Sequence, residues 1–335
     1  MNYKKCFVMV FLMMVCVWIL GATEEAVSNT ESQDVEMIYN QIRNSGLKYD
    51  WTESIVSFEN EGMNIVCTLA IPKTCKKCPI VVILNGFGGD RNDSIIPGYN
   101  EPFFQHTSRI LAEQGFASLR IDFRGSGDSD GTYDFTTFST QISDTLAALT
   151  YIKKTMNSMV NTNSIGIIGF SQGGLVGSIA AATDKYNRVS SLVLWSPVAN
   201  PPTCYGGLLT QEGIKKGLSL NSGESAIFGI YIDGQYIDWD LPLGKGFFED
   251  IYRIDPVAQI STYKKPMMVI TGKNDVIVWP QPEMGRLYLK YHDGEEMLIE
   301  LDADHAMNYW ETPIPNKFDD AIYWSTAWMI KTLKK

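Results

Sequence analysis

The stretch Ile165-Gly-Ile-Ile-Gly169-Phe-Ser171-Gln-Gly173-Gly174-Leu constrains this chain more than any other. It reads as a buried apolar strand, then a G-x-S-x-G turn, then a helix that opens on small residues. A serine on so tight a strand-to-helix turn points its hydroxyl away from the sheet. Glycine is needed at 169 and 173 because side chains there would collide with the turn and with the next strand. The helix behind Ser171 also aims backbone N–H groups toward developing negative charge.

The rest of the chain supplies the sheet that such a turn requires. Ile80 to Leu84, Ala117 to Ile121, Ile165 to Ile168, Leu192 to Trp195, Met267 to Ile270 and Met297 to Leu301 are short apolar runs of the kind that form strands buried on both faces. Between them, Thr107 to Gln114, Thr140 to Lys154 and Leu175 to Thr183 have helical spacing, so the order is strand, helix, strand, with helices expected on both faces of a mostly parallel sheet. Lys317 to Leu333 predicts a last helix that packs back on the sheet through Phe318, Ile322, Met329, Ile330 and Leu333. From Asn200 to about Asp250 the rhythm breaks into a segment rich in glycine, tyrosine and phenylalanine, too long for a structureless loop, which reads as a cap inserted over the sheet with elements of its own.

A serine hydroxyl is a poor nucleophile until a base takes its proton. The chain has three histidines: His106 precedes a helix in the first half, His292 lies in a turn leading into a strand, and His305 follows directly after the strand Met297 to Leu301. In a strand-turn-helix serine enzyme of this kind the base comes last, after the final strand, and the acid comes after the strand before it. That order selects His305 as base and Asp275, in Thr271-Gly-Lys-Asn-Asp275, as the acid, with Asp302 and Asp304 as fallbacks. Acyl transfer also needs two donors aimed at the oxyanion. The backbone amide of Gln172 is one, and the Phe87 amide, in the loop Asn85-Gly86-Phe87-Gly88-Gly89 after the first buried strand, is the other.

These stations, with Ile121-Asp-Phe-Arg-Gly125-Ser-Gly127-Asp-Ser129-Asp-Gly131, resemble the α/β-hydrolase superfamily over residues 50 to 333. Within it the chain is most similar to bacterial cinnamoyl and feruloyl esterases, which pair a D-F-R-G-x-G-x-S-x-G loop with a G-x-S-Q-G-G elbow and carry a cap before the acid. The likeness extends to Arg253-Ile-Asp-Pro256 and to Pro266 through Val278. It implies an α/β-hydrolase fold, the triad Ser171, Asp275 and His305, oxyanion donors at Phe87 and Gln172, a small-molecule ester as substrate, and no metal or organic cofactor. Two departures concern the acyl pocket: Asn85 stands where relatives have histidine before glycine, and Phe170 where many have histidine before the nucleophile. Cap aromatics such as Tyr205, Phe228, Tyr231, Tyr236 and Trp239 are either an aromatic wall for substrate, with Tyr236 and Trp239 as candidates, or the cap's own core. The same motifs occur in dienelactone-hydrolase-like and prolyl-oligopeptidase-like relatives. A serine peptidase or amidase is therefore the alternative activity, and a catalytically inactive binding protein on the same fold is the alternative class.

The N-terminus, Met1-Asn-Tyr-Lys-Lys5 followed by an apolar run from Cys6 to Leu20 and then Gly21-Ala-Thr, has the pattern of a signal peptide ending near Ala22. The expectation is a secreted or extracytoplasmic protein with no stable membrane association after cleavage; an uncleaved anchor is the alternative. Residues 23–49 read as a polar lead-in, and residues 50–335 as the catalytic domain, with the cap at about 200–250. The net charge of -10 gives a nucleic-acid or anionic-membrane partner no electrostatic support. Four cysteines would meet the oxidising compartment, and Cys75-Lys-Lys-Cys78, in a turn between strand-like stretches with no second pair to complete a zinc site, predicts a small structural disulfide. Asn92-Asp93-Ser94 is a lone glycosylation sequon.

Overall fold

The computed structural model describes residues 32–45 and 50–334; the signal-peptide stretch lies outside them. A helix over residues 32–44 (α1) leads to the antiparallel pair β1 (Trp51–Asn60) and β2 (Met63–Pro72), then β3 (Cys78–Leu84). The short β4 (Ile95–Ile96) and β5 (Glu101–Pro102) precede α2 (Phe103–Glu113), β6 (Ala117–Ile121), α3 (Phe138–Thr155), β7 (Val160–Phe170), α4 (Gln172–Thr183) and β8 (Val189–Trp195). The segment expected as a cap holds α5 (Pro201–Leu208), α6 (Thr210–Ser219), the hairpin β9 (Ser225–Ile232) and β10 (Gln235–Gly244), and α7 (Lys245–Arg253). The chain ends with α8 (Pro256–Ile260), β11 (Met267–Gly272), α9 (Glu283–Tyr291), β12 (Glu296–Leu301) and α10 (Lys317–Leu333).

The main sheet has eight strands in the order β1-β2-β6-β3-β7-β8-β11-β12. It is parallel from β6 to β12 and antiparallel only at its β1-β2-β6 side. Side chains of a strand alternate between faces, and here the alternation divides the core in two. Ile80, Val82 and Leu84 of β3, with Ile165 and Ile167 of β7, join one cluster with residues of α3, α4 and α5. Val81 and Ile83, with Ile168 and Phe170, join the other, with residues of α1, α2 and α10. Both faces are therefore covered by helices, which explains why the sequence of these strands is continuously apolar.

All six apolar runs lie within strands, and the C-terminal helix spans the predicted residues. The edge strand β1 was not legible because it is polar: Thr52, Glu53, Ser54 and Ser57 are exposed. Its partner β2 is joined to it by Glu61-Gly62, both at positive φ, the turn geometry that glycine tolerates. Helix α1, in the segment read as a polar lead-in with weak helical periodicity, buries Val35, Tyr39 and Ile42, and Tyr39 stacks on Trp324 of α10 with ring centroids 4.2 Å apart. Cys75 and Cys78 form the predicted disulfide, while Cys67 and Cys204 are buried free thiols.

His106 is fully buried away from the serine turn. Its Nε2 lies 2.8 Å from Asp319 and its Nδ1 2.5 Å from Glu101, which also pairs with Arg109. Burial alone would lower its pKa, but the carboxylates of Asp319 and Glu101 outweigh burial and hold it above the ordinary value. A histidine whose folded pKa is raised adds stability that is fully present below about pH 6.5 and is lost as pH rises through the folded pKa. The melting-temperature advantage of wild type over His106→Gln should therefore be largest near pH 6 and shrink by pH 9. An advantage that grows with pH in calorimetry would refute the pairing.

Candidate active site

The serine turn sits at the carboxyl end of β7, in the middle of the sheet. Ser171 has φ 55° and ψ -117°, a left-handed conformation costly for any residue but glycine. The strain is held by backbone bonds on both sides: Ser171 N–H donates to Trp195 O at 2.8 Å, and Ser171 O accepts from the Gly174 amide at 3.0 Å. The flanking glycines make the geometry possible. A Cβ at Gly169 would lie 2.3 Å from the Gly173 carbonyl oxygen, and one at Gly173 would lie 2.3 Å from Leu84 O and 2.6 Å from Asn85 O. Because these neighbours are backbone, Gly173→Ala is expected to cost more than about 3 kcal/mol. Gly207→Ala, in α5 with open space around its Cα, should instead be neutral or slightly stabilising. Urea unfolding of the two variants tests the contrast, and equal midpoints would contradict it.

His305 and Asp275 come from the loops after β12 and β11. Those loops are stitched together by Lys273 N–H to Leu301 O and Asn274 N–H to Ala303 O, both 2.9 Å, and Gly272 admits the backbone of Asp304 where a Cβ would lie 2.1 Å from its carbonyl oxygen. The result is a 2.7 Å contact between His305 Nδ1 and Asp275 Oδ2 in a buried setting. The other carboxylate oxygen, Oδ1, accepts the amides of Ile277 (2.8 Å) and Val278 (2.9 Å), which fixes the carboxylate's orientation. A carboxylate with this pattern only accepts, so Nδ1 carries the imidazole proton and Nε2 is left as a base. His305 packs against Phe170, the residue before the serine, at 5.0 Å between ring centroids. The Ser171 hydroxyl makes no hydrogen bond among the described residues; contacts between nucleophile and base are often long until substrate closes the site.

The fallback carboxylates are engaged elsewhere. Asp304 accepts the amides of Ala306 and Asn308 in its own loop, and burial raises its pKa. Asp302 is exposed and binds the Asn274 side chain. His292 faces the Lys265 carbonyl and Glu296.

The loop after β3 approaches the serine closely: a Cβ on Gly86 would lie 3.3 Å from Ser171 Cβ and from the Phe170 ring. Asn85 is buried and donates to the carbonyls of Gly86 and Gly89, so it shapes the loop from within. The Gly88 amide donates to the Tyr133 hydroxyl at 2.7 Å. Arg91, at the loop's far end, is tied to Asp122 through both its amide and its guanidinium, and Gly127 makes room for that carboxylate. Phe87 stands among rings: Tyr205 at 5.5 Å, Phe247 at 5.4 Å, Trp239 at 6.2 Å and Tyr133 at 6.3 Å. Trp239, from β10, lies directly over Gly88. Tyr236 packs within the hairpin, against Tyr231 and over Gly229. Phe228 and Tyr205 are buried, against Phe248 and between Phe138 and Phe247 respectively, so these two belong to the packed interior.

Gln172 opens α4 and is fully buried, with its side chain held at both ends. Its Nε2 donates to Gln141 Oε1 at 2.8 Å, and its Oε1 accepts from the Tyr205 hydroxyl. Sequence reasoning named Tyr205 only as a cap aromatic and missed Gln141. A signal was present: Gln141 falls on the buried stripe of α3 with Phe138, Thr145, Ala148, Leu149 and Ile152, where a polar side chain must have a partner.

A mostly parallel sheet of this strand order, with a strained serine between β7 and α4, defines an α/β hydrolase. The family described as X-Pro dipeptidyl-peptidase (S15 family) matches residues 61–230, half of the chain, and the chain belongs to that family. Two curated Escherichia coli proteins, each described as an uncharacterized 31.7 kDa protein in the traX-finO intergenic region, are 24% identical to it over 266 residues, covering 72% of this chain and 88% of theirs. Among solved structures, Est1E of Butyrivibrio proteoclasticus with bound ferulic acid superposes with a TM-score of 0.64 at 23% identity, over 84% of this chain and 100% of that one. The α/β hydrolase GrgF of Penicillium sp. sh18 reaches 0.66 at 18% identity, over 85% and 100%. The esterase domain of a Rhodothermus marinus protein reaches 0.60 at 20% identity, over 84% and 99%.

Proposed function

We propose that this protein is a secreted serine hydrolase that cleaves carboxylic esters with an aromatic acyl group, of the cinnamoyl or feruloyl type. The observation that carries the reading is the buried His305–Asp275 pair packed against the strained Ser171 turn. His305 Nε2 takes the Ser171 proton as Oγ bonds to the ester carbonyl carbon, and the Phe87 and Gln172 amides receive the oxyanion. The intermediate collapses, the C–O bond to the alcohol breaks, and the His305 proton goes to the departing oxygen. Water then attacks the acyl-enzyme by the same route, releasing the acid and restoring Ser171.

The aromatic acyl group is supported by the accessible rings of Phe87 and Trp239, 6.2 Å apart at the loop beside the serine, and by the ferulic acid bound in Est1E. Secretion is supported by the apolar run from Cys6 to Leu20 and fits the Cys75–Cys78 disulfide. A second reading, cleavage of X-Pro peptides, is favoured by the S15 family match. The purified protein should be assayed on methyl ferulate, p-nitrophenyl acetate and Ala-Pro-p-nitroanilide, with and without a fluorophosphonate. Fluorophosphonate-sensitive release of ferulate at the highest kcat/KM is the expected result. Faster cleavage of the anilide would replace the ester reading by the peptidase one.

A further inference from the structure

One side chain of the inserted segment touches both residues whose amides are assigned to the oxyanion. The ring of Tyr205 meets Phe87 edge-on, with centroids 5.5 Å apart and planes at 76°, and its hydroxyl donates to the Gln172 side chain. We infer that Tyr205 is the positioning residue of the oxyanion hole, acting through Gln172 together with Gln141, and so couples the 200–250 segment to catalytic rate. The inference rests on the serine-hydrolase reading above.

The direction of the Gln172 N–H is set by the peptide between Ser171 and Gln172, and hence by ψ of Ser171, which lies at -117° in a strained turn. A strained peptide keeps its orientation only when its surroundings over-determine it. On the serine side the turn is fixed by Trp195 O and by the amides that Ser171 O accepts. On the other side stands the Gln172 side chain, fully buried and clamped between Gln141 of α3 and Tyr205 of α5. Tyr205 is itself fixed by three rings, Phe138 at 5.4 Å, Phe247 at 5.2 Å and Phe87 at 5.5 Å, so its hydroxyl has little freedom to follow a drifting partner. Removing that hydroxyl leaves a buried Gln172 oxygen without its donor, and the side chain must turn to find another. The amide on the same residue then loses its aim, and an oxyanion donor works only when preorganised.

The test is Tyr205→Phe, which keeps the ring and removes only the oxygen. The expected result is a fall in kcat of about tenfold or more with KM within about twofold, matched by an equal fall in affinity for a boronic acid that forms a tetrahedral adduct with Ser171. Gln141→Leu should fall in the same direction, and the double variant should lose less than the product of the single losses, since both act through Gln172. Unchanged kcat and boronate affinity in Tyr205→Phe would overturn the inference, as would a loss confined to KM or fully multiplicative effects in the double variant. If Tyr205→Phe fails to fold, the kcat and boronate affinity of Gln141→Leu decide alone by the same criteria. Fluorophosphonate labelling separates the layers. A wild type that labels at Ser171 and hydrolyses ester keeps the hydrolase reading whatever Tyr205→Phe does, whereas a folded wild type that neither labels nor turns over refutes that reading and the inference with it.

Discussion

Ser171→Ala is expected to lower kcat by about 10⁶-fold while leaving the melting temperature within about 3 °C of wild type. The two halves of this expectation have different origins. The hydroxyl makes no hydrogen bond among the described residues, so the fold does not depend on it. What holds the turn is backbone: the Ser171 amide on Trp195 O, and the Ser171 carbonyl under the amides of Gly174 and Val198. Alanine keeps all of these and suffers the same positive φ that serine already bears. The chemistry, by contrast, has no substitute for Oγ, because the acyl-enzyme cannot form without it. Steady-state kinetics and calorimetry on one preparation check both halves. Residual activity above about one part in a thousand would mean that another group is the nucleophile.

The contrast between backbone and side chain also explains what was legible in the sequence. The centre of the sheet was readable because its strands are buried on both faces: β3, β7, β8 and β11 carry uninterrupted apolar runs, and only such a position demands them. The serine turn was readable because its glycines are dictated by backbone atoms at 2.3 Å, leaving no alternative residue. The polar edge strand β1 and the helix α1 were not readable, since exposed positions admit almost any side chain and α1 is specified only by what it packs on, such as Trp324 almost three hundred residues later. The same holds for the shell around the serine. Gln141, Tyr133 and Tyr205 are joined to Gln172, Gly88 and Phe87 by contacts across elements; the stripe of α3 shows that Gln141 is buried, but no local spacing encodes which partner it meets. Tyr236 illustrates the converse: chosen with Trp239 by residue type, it packs inside its hairpin, while Trp239 lies over the loop that carries Phe87.

Asp275→Asn should reduce kcat by about 10⁴-fold, whereas Asp304→Asn should stay within about tenfold of wild type. Both carboxylates are close to His305 in space or in sequence, so the comparison isolates orientation from mere proximity. Asp275 uses Oδ1 on the amides of Ile277 and Val278 and presents Oδ2 to Nδ1 of His305 at 2.7 Å. With asparagine there, the same two amides still draw the carbonyl oxygen to the Oδ1 position, which turns the NH₂ group toward the imidazole. Nδ1 must then accept, the proton moves to Nε2, and the nitrogen meant to receive the serine proton is already protonated. Asp304 does not act in this way, because Nδ1 of His305 is already bonded to Asp275, whereas Asp304 bonds the amides of Ala306 and Asn308 in its own loop through Oδ1, so its replacement affects that loop alone. Because the loss in Asp275→Asn is one of tautomer, it should appear in kcat with little change in KM, and it should shrink at high pH, where hydroxide can remove the serine proton without the imidazole. A comparable loss in Asp304→Asn, or a normal rate in Asp275→Asn, would show that the carboxylate serving His305 has been assigned to the wrong loop.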